Sequence, residues 1–94
     1  MTKAFHVLYS SLLNPKSVGK FSVADQKKIK NSIERKLCTQ PDVFGKPLRR
    51  TLRGYWSLRI GEYRVIYRIQ ESNVLILVIE HRSVVYDMAK RLFE

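Results

Sequence analysis

The run Tyr55-Trp56-Ser57-Leu58-Arg59-Ile60-Gly61-Glu62-Tyr63-Arg64-Val65-Ile66-Tyr67-Arg68-Ile69 decides the fold. Trp56, Leu58 and Ile60 alternate with Tyr55, Ser57 and Arg59, and beyond Gly61-Glu62 the same period of two sets Tyr63, Val65, Tyr67 and Ile69 against Arg64, Ile66 and Arg68. Two half-buried strands follow from it. Glycine at the first position of a two-residue loop signals a type II′ turn, which pairs Ile60 with Tyr63 and sets Arg59 opposite Arg64. Trp56 and Tyr67 then belong to the core, and Tyr55 to the Arg59 face.

Downstream, Val74 to Glu80 is almost continuously apolar, as expected of a strand buried on both faces inside the sheet, with Glu71-Ser72-Asn73 as its turn. Ser83 is placed to cap a last helix whose apolar stripe is Val84, Val85, Met88 and Leu92. Upstream, Phe5, Val7 and Tyr9 alternate within a first strand, Ala4 to Tyr9, and Asn14-Pro15 offers a weak helix start that Gly19 shortens. Ser22 and Asp25 resemble a capping box, and Ile29, Ile33 and Leu37 give one apolar stripe, so a helix is expected from Val23 to Cys38. Pro41 ends it, and Pro41 to Arg53 reads as a basic loop. The expected fold is α+β: N-terminal helices on a twisted, mainly antiparallel four-stranded sheet, with a short C-terminal helix.

At 94 residues the chain is expected to form one domain, residues 1–94. One cysteine, Cys38, excludes an intramolecular disulfide and reads as an inert thiol; with two histidines it makes no structural zinc site. Neither a signal-peptide core nor a membrane-length apolar run is present, so a cytoplasmic location without membrane contact is expected. No metal or organic cofactor is called for.

Charge is the anomaly. Eighteen Lys and Arg against eight Asp and Glu leave +10, and between Lys46 and Arg68 seven basic residues (Lys46, Arg49, Arg50, Arg53, Arg59, Arg64, Arg68) face Glu62 alone. Six of these are Arg, whose planar fork matches phosphate oxygens in pairs. Like charges opposite one another destabilise a sheet, so Arg59 against Arg64 points to an anion between them. His81, Arg82 and Tyr86 add groups suited to proton transfer and phosphate binding, the needs of phosphodiester cleavage by a 2′-hydroxyl. An even loop after Gln70 places His81 on the Arg59 face; an odd loop turns it into the core. The acids show no paired spacing suited to magnesium.

The pattern L-x-G-x-W-x-L-R-x-G-x-Y-R-x-x-Y over Leu52 to Tyr67, followed by H-R-x-x-x-Y over His81 to Tyr86, resembles the RelE/ParE superfamily of bacterial and archaeal toxins. The resemblance implies a small RelE-like domain, the toxin of a type II toxin–antitoxin pair, with a cognate antitoxin as partner. RelE-like members enter the ribosomal A site and cut messenger RNA, whereas ParE-like members poison DNA gyrase; the first activity is expected here, the second being the alternative. By position Arg64 matches the family's transition-state arginine, Arg82 lies close to its second conserved arginine, and Tyr86 matches the C-terminal tyrosine. With His81 these are the expected catalytic residues, while Lys46, Arg49, Arg50, Arg53, Arg59, Arg68 and Tyr55 are expected to bind RNA. Ser57 and Tyr55 depart from the family, standing where well-studied RelE members carry lysines. His81 and Lys46 are the candidates to take over that work.

Each phosphate contact made by Lys or Arg releases condensed counterions, so affinity for single-stranded RNA should fall with salt at a log–log slope of about −0.7 per contact. Filter binding between low and physiological salt tests this; an affinity that barely changes rules the basic face out as the binding surface.

Overall fold

The computed structural model describes residues 4–10, 13 and 19–93. The Ser22 hydroxyl accepts the Asp25 backbone N–H at 3.1 Å and opens helix α1 (Val23–Ser32), which continues as a π-helical stretch, Ile33–Leu37, to Cys38. The expected span is filled in two forms. A four-residue repeat runs ahead of a 3.6-residue turn, and the wider π turn keeps Leu37 in line with Ile29 and Ile33, all three buried. The helix expected from Asn14-Pro15 lies outside the described residues, as does the Leu92 side chain.

Pro41 ends the first helix by opening another, occupying the first position of the four-residue helix α2 (Pro41–Phe44). The expected basic loop is therefore built: after α2 come strand β2 (Lys46–Pro47) and a 3₁₀ turn, Arg50–Leu52. Two contacts pin this segment to the core. The buried Tyr67 hydroxyl donates to the Pro41 carbonyl at 2.6 Å, and Gly45 lies so close to that hydroxyl that any Cβ would overlap it.

The four expected strands are β1 (His6–Tyr9), β3 (Trp56–Ile60), β4 (Tyr63–Gln70) and β5 (Asn73–His81), and β2 adds a fifth at the edge. The order is β1-β5-β4-β3-β2, with β1 parallel to β5 and every other pair antiparallel. Ile60 pairs with Tyr63 and Arg59 with Arg64, joined through Gly61 at φ +57°. Between β4 and β5 the loop holds two residues, because Gln70 pairs with Asn73. Even so, Ile66 pairs with Val78 while Tyr67 pairs with Ile76, leaving Leu77 as a bulge that reverses the faces of β5 beyond it.

Helix α1 covers one face, where Leu58, Ile60, Val65, Tyr67, Ile76 and Ile79 meet Ile29, Ile33 and Leu37. On the other face, α3 (Val85–Phe93) lays Val85 and Ala89 on Ile66, Leu77, Val78 and Leu52. The half of that face nearer β2 is left to polar residues.

Tyr67→Phe should cost about 1 kcal/mol by orphaning the Pro41 carbonyl, and Gly45→Ala roughly 1–3 kcal/mol by overpacking. Combined, they should cost less than their sum, since the first removes the oxygen the second strikes. Burial, with Asp42 second, pushes the Tyr67 hydroxyl above its ordinary 10.0. The unfolded chain therefore gives up that proton first, so stability is full below pH ~10 and falls as pH rises beyond it; Tyr67→Phe should flatten the slope. Denaturant melts of the parent and the three variants across pH check both.

Candidate nucleic-acid interface

The alternation that buries Trp56, Leu58 and Ile60 turns Ser57 and Arg59 to the opposite face, beside Arg64 on β4 and Lys46 on β2. Together with Phe44, Pro47, Leu48 and Tyr86 these residues line a groove of about 340 Å³. Its lining contains three cations and no carboxylate or imidazole. Lys46 is the direct cross-strand partner of Ser57, so an amine-bearing side chain enters the groove one strand away from the position that itself carries none.

Arg64 is oriented before any ligand arrives: its Nη1 donates to the carbonyls of Gly61 and Tyr63, each at 2.9 Å. Those carbonyl dipoles offset part of the repulsion from Arg59. Tyr86 leaves the buried stripe of α3 and keeps 37% of its surface exposed, its hydroxyl 3.4 Å from the Ser57 Oγ. Ser57 itself is buried, so it forms the floor.

The bulge at Leu77 decides where His81 goes. Despite the two-residue loop, His81 pairs with Tyr63 and meets that ring edge-on at 6.0 Å, on the α1 face and away from Arg59, Arg64 and Tyr86. Its Nδ1 accepts the Ser83 backbone N–H at 3.1 Å and lies 2.8 Å from the Ser83 hydroxyl, which is thus drawn to the histidine. Arg82 is also held elsewhere. Its Nε contacts Glu62 at 2.9 Å and its backbone N–H donates to the Glu62 carbonyl, tying the strand end to the β3–β4 hairpin tip. His81 lines a separate cleft of about 350 Å³ with Asp25, Lys28, Glu62 and Tyr63. There the Asp25 carboxylate accepts the Tyr63 hydroxyl at 3.0 Å and, with burial, raises the phenol above its usual value.

Tyr55 packs against the α3-side core with Arg68 over its ring at 5.9 Å, so these two residues face each other outside the groove. Arg49, Arg50 and Arg53 are exposed on the 3₁₀ segment and do not line it. Phe44, Pro47 and Leu48 are the lining residues that sequence reading missed, because a segment taken for irregular loop gave no reason to fix its apolar side chains. Cys38 is remote from the groove, and burial followed by Glu34 pushes its thiol up. Among the described residues no group of three His, Cys, Asp or Glu could hold a metal ion.

Residues 14–86 match the family described as the ParE toxin of type II toxin–antitoxin systems. The chain belongs to the RelE/ParE toxins. Over 52 residues the toxin is 46% identical to Toxin RelG of Mycobacterium tuberculosis, a match covering 53% of this chain and 60% of that one. Toxin RelE of the same organism is 44% identical over 54 residues, covering 55% and 56%. The matched stretch thus spans under two thirds of these curated relatives. In three dimensions the toxin is similar to a chain of the M. tuberculosis RelBE2 toxin–antitoxin complex, with a TM-score of 0.77 and 30% identity over 85% of this chain and 93% of that one.

Inorganic phosphate should raise the Tm of the free toxin, since a ligand at 100 times its Kd adds about 2.7 kcal/mol of stability. Arg59→Ala or Arg64→Ala should remove the rise and Arg82→Ala should keep it. Scanning fluorimetry over a phosphate titration reads this directly, and the reverse ranking would move the anion site to the hairpin tip.

Proposed function

We propose that the toxin inhibits translation by cutting single-stranded RNA, above all message on the ribosome, by attack of a 2′-hydroxyl on the adjacent phosphate. Lys46 Nζ, acting in its neutral amine form, accepts the 2′-hydroxyl proton, the new bond from the 2′-oxygen to phosphorus forms as the bond to the 5′-oxygen breaks, and the Tyr86 hydroxyl protonates the leaving oxygen. A 2′,3′-cyclic phosphate and a 5′-hydroxyl result. Arg59 and Arg64 bind the non-bridging oxygens, whose charge grows in the transition state. The observation that carries this reading is the opposed Arg59–Arg64 pair in a groove whose lining holds no carboxylate and adds one amine and one phenol, Glu80 standing beside Arg64 on β5 outside that lining. His81 and Arg82 act outside the reaction, as anchors of the β5–α3 junction and the hairpin tip.

The similar RelBE2 chain comes from a toxin–antitoxin complex, which supports an antitoxin partner here: an acidic or amphipathic segment that covers the cationic groove. The matched family is described as the ParE toxin, and through the resemblance to ParE-like members DNA gyrase is the second reading. Prompt loss of protein synthesis on induction speaks for RNA, filamentation with DNA damage for gyrase.

Arg64→Ala should slow single-turnover cleavage of ribosome-bound message roughly 100- to 1,000-fold with the Tm preserved, as for other lost preorganised contacts to a developing charge. Lys46→Ala should lose a comparable factor, Ser57→Lys should raise the rate by restoring an amine to the floor, and His81→Ala should change it by less than about threefold. A folded Arg64→Ala protein that cuts at the parent rate would refute the site.

A further inference from the structure

Phe44 is the aromatic lining residue to which the proposed chemistry gives no task. It is 46% exposed at the end of a helix of only four residues, yet its backbone is among the best anchored on that side of the molecule. Its N–H donates to the Gln40 carbonyl at 3.1 Å; three residues earlier Pro41 receives the buried Tyr67 hydroxyl, and one residue later Gly45 packs onto that same hydroxyl. Lys36 Nζ lies over the ring, 5.8 Å from its centroid. The backbone on both sides of this exposed ring is held in place, so little main-chain ordering remains to be done when a ligand lands on it.

The groove is mixed in chemistry. Lys46, Arg59 and Arg64 suit a phosphate, while Phe44, Pro47, Leu48 and the Tyr86 ring suit a flat apolar body. A nucleotide has both parts, covalently joined. We propose that Phe44 is a stacking platform for one nucleobase of the RNA, holding it by its face while the adjoining phosphate sits on the arginines. This rests on the RNA-cleaving reading and adds to it a substrate-binding residue. It also relocates base stacking from Tyr55, which does not line the groove, to Phe44, which does. Since the ring carries no donor or acceptor, it grips any base by its face and contributes affinity without reading sequence.

The test uses the intact toxin and ribosomes programmed with a message carrying 2-aminopurine in turn at each nucleotide flanking the cut, with the 2′-hydroxyl methylated for binding and free for cleavage. Binding of the parent should quench the probe at one position, and Phe44→Ala or Phe44→Leu should remove the quench. Both variants should raise the half-saturating toxin concentration about 5- to 150-fold, the range of one base stack on an aromatic ring, and leave the saturated cleavage rate within a few-fold. Phe44→Tyr and Phe44→Trp should restore affinity. On a message abasic at the quenched position, Phe44→Ala should cost nothing further. A parent that cuts message while Phe44→Leu matches it in quench and half-saturation overturns the platform and leaves the cleavage reading standing. Loss of antitoxin affinity in Phe44→Leu with RNA parameters unchanged assigns the ring to the antitoxin and likewise overturns it. A parent that neither binds nor cuts RNA sinks both.

Discussion

The two-residue turn at Gly61-Glu62 is the constraint on which the rest depends. A hairpin loop of that length leaves no freedom of register, so once Ile60 meets Tyr63, Arg59 must meet Arg64 and Trp56 must meet Tyr67. One register thereby assigns a cationic surface to one side of the sheet and the largest buried ring to the other. Slipping by a single residue would bury the guanidinium groups and expose the aromatic side chains, so burial of the core and solvation of the charges enforce the same pairing. The turn also supplies Gly61 and Tyr63 carbonyls to Arg64, so it aims the residue that it places.

How far the sequence could be read depends on whether its pattern alternates. In β3 and β4 it does, and strand identity, pairing and facing were all legible. In β5 the run from Val74 to Ile79 is apolar at every position, so alternation is lost and nothing in the composition marks Leu77 as the extra residue. Both Leu77 and Val78 turn toward α3, a choice open only because either face of that strand accepts a hydrophobic side chain. The position of His81 inherits this ambiguity, and so a histidine that follows a basic hairpin in sequence lies on the other side of the sheet from it. The segment Pro41–Arg53 was opaque for a different reason: its elements are two to four residues long, too short for any period, and they are held by contacts to Tyr67 that are remote in sequence.

The fold also separates two kinds of ionic arrangement on one small molecule. At the hairpin tip Glu62 neutralises Arg82, and in the cleft beyond it Asp25 engages Tyr63; these groups are satisfied by one another. In the groove, cations converge without a carboxylate among them. Self-repulsion of that kind lowers the stability of the free chain and is relieved by any polyanion, which makes the groove both the proposed working surface and the natural point for an acidic segment to restrain it.

Strand β2 is only Lys46 and Pro47, yet it forms an outer border of the sheet. Because the Leu48 N–H donates inward to the Tyr55 carbonyl, the ring nitrogen of Pro47 occupies the outward position of that border, where an ordinary residue would present a free amide to solvent. A passing extended chain finds no donor there with which to continue the ladder. The rim of the groove is thus closed to sheet extension, and two copies of the molecule are kept from zipping together along the flank that carries Lys46.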